Sequence, residues 1–221
     1  RGLGDVYKRQ PGEAMPDWKI LCYLAEKFGL VWHYTGPEDV FREIATLVPS
    51  YAGVTYGRIE KAGLQWPCPD EKHPGTPILH VDGFARGRGR FAPVEFRPPA
   101  ESPDEEFPLT LTTGRLLYQF HTSTMTMRTG GLRRVAGEPF AMVHPADAKR
   151  YGLKKRGKVR LTTRRGSIVA PIRVSEAVRE GVVFVPFHYA EAPVNFLTND
   201  ARDPVSKIPE YKVCAVRVEP A

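Results

Sequence analysis

Eight prolines and four glycines fall between Trp66 and Phe107, at positions 67, 69, 74, 77, 93, 98, 99 and 103 and at 75, 83, 87 and 89. Proline lacks a donor and glycine loosens the backbone, so no regular element of useful length survives such punctuation, apart from a short strand predicted at Ile78 to Val81. An irregular segment this long marks a linker or a functional loop rather than the interior of a compact domain. It divides the chain into two parts of different texture. The boundary is expected at Glu105–Phe107.

Before the loop the pattern is helical. Trp18, Leu21, Cys22, Ala25 and Phe28 follow the i, i+3, i+4, i+7 spacing of one apolar face, which predicts a helix from Asp17 to Phe28 with Asp17 as N-cap and Gly29 as the stop. A second helix is predicted from Pro37 to Val48, with Val40, Phe41, Ile44, Leu47 and Val48 as its buried stripe and Pro49 ending it. Neither helix carries an evident chemistry. Residues 1–10 show no amphipathic pattern and read as a scar or a non-native start.

After the loop the pattern turns to strands: Leu109 to Thr113, Phe140 to Val143, Lys158 to Thr163, Ile168 to Val174, Val182 to Phe187 and Lys212 to Val218. Arg164-Arg165-Gly166 reads as a tight hairpin turn, and Pro145 to Arg150 as a short helix closed at Gly152. Many short strands with one or two short helices point to a small closed barrel.

Charge separates the halves as well. Residues 1–106 carry 13 Lys/Arg and 16 Asp/Glu, net −3, whereas residues 107–221 carry 19 and 9, net +10. A basic half calls for an anionic partner: a nucleotide pyrophosphate, a nucleic acid or an acidic protein surface. The runs Lys154 to Lys158 and Arg164-Arg165 are most simply solvated turns. Arg86-Gly87-Arg88-Gly89-Arg90 is one short Arg/Gly copy without aromatic interleaving, a poor argument for RNA. Cys22, Cys68 and Cys214 form no metal-binding spacing and read as small buried thiols of a reducing compartment. The longest apolar runs, such as Gly181 to Phe187, are too short to span a bilayer, and no secretory signal pattern is present.

Several positions in the basic half bear groups suited to an anionic, hydrogen-bonding ligand. In Thr113-Gly114-Arg115 the glycine lets backbone N–H groups come close to a phosphate, and the arginine offers a two-pronged donor. His121, Thr122, Ser123 and Thr124 form a run rich in donors; the plainer reading is a solvated loop. Phe187-His188 follows an apolar strand, and a histidine there is more often a satisfied edge residue than a ligand contact. Asn195 offers both a donor and an acceptor, although a turn-forming asparagine is its ordinary role. Tyr211-Lys212 opens the last strand, where Lys212 is otherwise an exposed strand lysine.

Longer strings carry a family resemblance. They are LQWPCP (Leu64–Pro69), HPGTPILH (His73–His80), GFARGRGRF (Gly83–Phe91), PDEEFPLTLTTGRLLYQFHTSTMT (Pro103–Thr126), HPADAKRYGL (His144–Leu153), TRRGSI (Thr163–Ile168) and the tail from Val185 to Pro220. In order and spacing they resemble the C-terminal part of formate dehydrogenase catalytic (alpha) subunits of the molybdopterin oxidoreductase superfamily. The LQWPCP and HPGT strings favour these over the related nitrate reductase catalytic subunits, which remain the alternative within the superfamily; a basic β-barrel nucleic-acid-binding module is the alternative outside it.

The resemblance implies an α+β chain. Residues 107–221 would form a double-psi β-barrel, the molybdopterin-dinucleotide-binding domain, and residues 11–106 the end of a preceding α/β domain plus the crossing loop. It implies molybdopterin guanine dinucleotide with molybdenum or tungsten as cofactor, gripped by Thr113, Gly114, Arg115, His121, Thr122, Ser123, Phe187, His188, Asn195, Tyr211 and Lys212. It places the metal's protein ligand and the iron–sulfur cysteines upstream, so that no catalytic or metal-ligating residue falls in this chain. The partners implied are the remainder of the catalytic subunit and electron-transfer subunits, with formate as substrate, in the cytoplasm, with no membrane span and no nucleic acid.

Overall fold

The computed structural model describes residues 12–221; the reading of residues 1–10 as a scar lies outside the described residues. The chain forms two compact units, the first ending at Ala92 and the second running from Pro93 to Ala221.

In the first unit, helix α1 spans Asp17–Lys27 and helix α2 Pro37–Leu47. Pro16, not Asp17, occupies the N-cap of α1, and Asp17 falls in the first turn, where its charge meets the positive end of the helix dipole. Gly29 stops the helix in a left-handed conformation, φ 76°. Helix α2 starts on Pro37, whose fixed φ suits the first helical position.

The expected burial of both stripes is only partly met. Ala25 of α1 and Phe41 of α2 are buried, whereas Leu21, Phe28, Ile44 and Leu47 are exposed. A short helix, α3 (Tyr56–Ile59), has no counterpart in the periodicity. Beyond it the fold is held by polar contacts. The Arg58 guanidinium donates to the carbonyls of Gly53 and His73 and approaches the buried Cys68 Sγ at 3.3 Å. The predicted strand at Ile78 to Val81 is absent; an isolated bridge joins Phe84 to Gly87 instead.

The second unit is a closed six-stranded barrel with strand order β1-β5-β2-β4-β3-β6. The strands are β1 (Leu109–Gly114), β2 (Ala141–Val143), β3 (Lys158–Thr163), β4 (Gly166–Val174), β5 (Val182–Pro186) and β6 (Cys214–Pro220). β1 runs parallel to β5 and β2 parallel to β4; the other four pairings are antiparallel. This is the double-psi barrel expected from the resemblance.

Closure leaves no unpaired strand edge, and alternation fills the interior. Leu109 and Leu111, Val159 and Leu161, Val183 and Val185, and Cys214 and Val216 all point inward with essentially no exposure. Burying each valine or leucine stabilises the barrel by about 1.5–3 kcal/mol. Helix α4 (Gly130–Ala136) lies between β1 and β2, and helix α5 (Pro145–Arg150) follows β2. His144 caps α5 by accepting from Ala146 N–H, and Gly152 ends it with φ 64°.

Residues 93–107 belong to the barrel unit because two acidic side chains tie them to the β3–β4 turn. Arg164 donates to Glu101 at 2.6 Å and also to Asp104, and its guanidinium lies 4.6 Å from the Phe107 ring centroid. Arg165 binds Glu101 at 2.7 Å and the Leu197 carbonyl at 2.9 Å. The turn read as solvated is therefore a double anchor. Desolvation pushes the Glu101 carboxyl up, but the hydrogen bonds from Arg165 and Arg164 outweigh it and hold the group below the usual carboxylate range.

Candidate functional site

The end of β1, the end of β5 and the approach to β6 meet at one rim of the barrel. Parallel pairing sets Gly114 opposite Pro186, so that Arg115 and Phe187 emerge side by side from the paired strands. The Phe187 N–H closes that pairing on the Gly114 carbonyl at 3.2 Å. Arg115, Phe187, Asn195, Tyr211 and Lys212 line one cleft of about 780 Å³, together with Thr198 and Pro209. Five residues singled out in the sequence, from segments up to 97 positions apart, thus converge.

The chemistry of this cleft is that of an anion site with aromatic walls. Among the described residues, Arg115 has no acidic partner, nor has Lys212. Lys212 Nζ donates to the Thr113 carbonyl at 2.6 Å, which uses one of its three hydrogens and leaves two for a ligand. The Asn195 side chain is exposed and takes part in no hydrogen bond among the described residues. Phe187 and Tyr211 offer ring surface to a flat ligand.

Thr113 and Gly114 lie beneath the cleft rather than in it. Thr113 is buried and donates from Oγ1 to the Tyr211 carbonyl at 2.9 Å, tying β1 to the segment that leads into β6; the last strand begins at Cys214 rather than at Lys212 as expected. Gly114 serves a close approach, but the neighbour is a side chain: a Cβ there would overlap Cε2 of Phe184 and lie 2.9 Å from its Cζ. Packing against Phe184 is a sufficient physical reason for glycine at this position.

The remaining four candidates form a separate cluster, three on the 115–124 loop and His188 just after β5. His121 and Thr122 are exposed, and Thr122 pairs with the Thr124 hydroxyl at 2.9 Å. Ser123 is buried and donates to the His188 carbonyl at 2.9 Å. His188, 3% exposed, engages both ring nitrogens within the chain: Nε2 with Leu116 N at 2.8 Å and Nδ1 with the His121 carbonyl. None of these four lines the 780 Å³ cleft.

Sequence reasoning missed Thr198 and Pro209, which sit in a loop without a regular pattern. It also missed a second cleft of about 630 Å³, lined by Arg133, Arg134 and Arg173 together with Tyr118, Phe140 and Tyr189. The Arg173 guanidinium stacks 3.6 Å from the Phe140 centroid. Burial pushes the Tyr189 phenol up, and its hydroxyl donates to the Ala136 carbonyl at 2.7 Å. The Arg133-Arg134 pair was the available signal. Among the described residues no group of three His, Cys, Asp or Glu side chains is placed to hold a metal ion, and no helix is long and apolar enough to cross a membrane.

The second unit is a closed six-stranded barrel with a basic, aromatic-walled cleft at its rim, and the model of the Molydopterin dinucleotide binding domain family matches its residues 109–215. Over 95% of its length the chain is 47% identical to the F420-dependent formate dehydrogenase 1 subunit alpha of Methanococcus maripaludis. It is 39% identical over 99% of its length to the assimilatory nitrate reductase catalytic subunit of Bacillus subtilis. The chain spans 32% of the length of each of these relatives. The acetylene hydratase of Pelobacter acetylenicus has the same fold, with a TM-score of 0.67 over 96% of this chain and 33% of its own, at 16% identity. The expected resemblance to formate dehydrogenase alpha subunits and the expected barrel both hold.

Proposed function

We propose that this chain is the C-terminal, cofactor-gripping part of a formate dehydrogenase catalytic subunit, and that its barrel rim holds a molybdopterin guanine dinucleotide. The observation that carries the reading is the convergence of Arg115, Phe187, Asn195, Tyr211 and Lys212 on one cleft. The donor set fits the ligand. A pyrophosphate brings two negative charges, and the cleft presents two cations without acidic partners among the described residues; an amide-like pterin edge needs a donor and an acceptor, which the Asn195 carboxamide supplies. Thr113, Gly114, Ser123 and His188 support the cleft from below and beside it, and His121 and Thr122 edge the adjoining loop.

When bound, the cofactor with its molybdenum or tungsten supplies the redox chemistry, and this chain contributes binding and orientation. The whole subunit, in this reading, oxidises formate to carbon dioxide or performs the reverse. The catalytic ligand to the metal and the iron–sulfur cysteines belong to the remainder of the subunit, electrons leave through further subunits, and the enzyme works in the cytoplasm. In the same reading residues 107–221 are the cofactor-binding domain, and residues 11–106 end the preceding one.

The identity of 47% to a formate dehydrogenase alpha subunit against 39% to a nitrate reductase supports formate as the substrate. The test is a purified whole catalytic subunit that contains this chain. Formate-dependent dye reduction without nitrate-dependent dye oxidation is expected. The opposite pattern would transfer the chain to the nitrate reductases. The 221-residue chain alone should show no formate-dependent turnover above a protein-free control.

A further inference from the structure

We infer that His188 is a positioning residue: a neutral imidazole protonated at Nδ1, which braces the 115–124 loop against the end of β5. Three bonds make the brace. Nε2 stands 2.8 Å from the backbone nitrogen of Leu116. An amide N–H can only donate, so Nε2 is the acceptor and bears no proton. Nδ1 faces the His121 carbonyl. A carbonyl can only accept, so Nδ1 carries the ring's hydrogen. The third bond runs from Ser123 Oγ to the His188 carbonyl at 2.9 Å. With His188 3% exposed and both ring nitrogens engaged, its side chain has no polar atom left for a ligand.

The loop needs such a brace. His121 and Ser123, the two residues beyond Leu116 that meet His188, have φ of 47° and 59°. Left-handed conformations outside glycine persist where the surroundings hold them. The chain neighbours of the brace are two walls of the cleft: Leu116 follows Arg115, and His188 follows Phe187. Fixing one imidazole therefore fixes where a cation and an aromatic ring of the cleft emerge. The tautomer stands on geometry alone, whereas the consequence for cofactor binding rests on the reading proposed above.

The experiment uses the 221-residue chain labelled with ¹⁵N-histidine, with backbone amide exchange read by NMR. At neutral pH His188 should show a protonated Nδ1 and a bare Nε2. The Leu116 amide should be protected in the wild type and lose about tenfold or more of that protection in His188→Ala. It should stay near the wild-type value in His188→Gln, whose carboxamide oxygen takes the place of Nε2. The Thr110 amide, bonded to the Gly181 carbonyl at 2.8 Å, reports whether the barrel is intact. A proton on Nε2 would overturn the inference, and so would unchanged Leu116 protection in His188→Ala with Thr110 still protected. If His188→Ala does not fold, the wild-type tautomer and His188→Gln decide the matter.

Pterin content of the whole subunit separates this inference from the cofactor reading. Loss of Leu116 protection in His188→Ala with full pterin content in both His188→Ala and Arg115→Ala leaves the brace standing and removes the cofactor reading. Low pterin in Arg115→Ala with Leu116 still protected in His188→Ala does the reverse.

Discussion

Lys212 donates its ammonium to the carbonyl of Thr113 at 2.6 Å, across 99 positions of sequence. The bond joins the approach to the last strand, β6, to the first. Lys212 consequently has two tasks, a structural bond and a free charge toward the cleft. Lys212→Met keeps the stem and removes both. A hydrogen bond to a charged group is worth about 1.5–3 kcal/mol when sheltered and less where water screens it, as at this rim. Lys212→Met should cost about 1 kcal/mol or less in urea unfolding of the chain, and lower pterin content of the whole subunit by about tenfold. Full pterin content in Lys212→Met would remove the lysine from the ligand set.

Gly114 and Phe184 form a matched pair, since a Cβ at position 114 would overlap the ring. Gly114→Ala should destabilise the barrel by about 1–3 kcal/mol, the usual cost of overpacking. Phe184→Leu in the same chain should restore part of that loss, measured as the coupling energy of a double-mutant cycle in urea. Additive effects of the two changes would show that the glycine answers to something other than the ring.

The anchor between the 101–104 segment and the β3–β4 turn should respond to acid. For Asp104 the hydrogen bond from the Phe107 N–H lowers the carboxyl first, with Arg164 adding to it, and Glu101 is lowered by its two arginines against desolvation. Folded values below the unfolded ones mean stability that is present above the unfolded pKa, about 4, and lost as pH falls through the folded values. Arg164→Ala should therefore be less stable than wild type at pH 7, with the gap closing below about pH 3–4. A gap that stays constant from pH 7 to pH 3 would show that the guanidinium acts through its stacking on Phe107 alone.

Much of the barrel was legible in the sequence because its signals are local. The alternation of Lys158 to Thr163, the apolar run of Val182 to Phe187 and the Arg164-Arg165-Gly166 turn each fall within a few residues of their cause. The helix faces were legible as patterns but not as burial: Leu21, Phe28, Ile44 and Leu47 keep the spacing of a packed stripe yet stay exposed. The site was legible in part. Arg115, Asn195 and Lys212 are side chains whose chemistry announces an anionic, hydrogen-bonding ligand wherever they meet. Gly114 was read as room for a phosphate, whereas the group that crowds the position is the ring of Phe184, 70 residues away. His188 carries no local sign of its role, since the backbone groups that claim its nitrogens lie 72 and 67 positions earlier in the chain.

The central claim is that the rim cleft holds the dinucleotide through its free cations, and Arg115 tests it most directly. Arg115 has no acidic partner among the described residues, whereas Arg164 is held by Glu101 and Asp104. Each is replaced by alanine in the whole subunit, and pterin and metal content per purified subunit is measured. Losing a charge-assisted contact worth about 1.5–3 kcal/mol corresponds to about ten- to hundredfold in affinity. Arg115→Ala should therefore purify with markedly depleted pterin and metal, and Arg164→Ala should load as the wild type does. Wild-type loading of Arg115→Ala, with depletion confined to Arg164→Ala, would contradict the account.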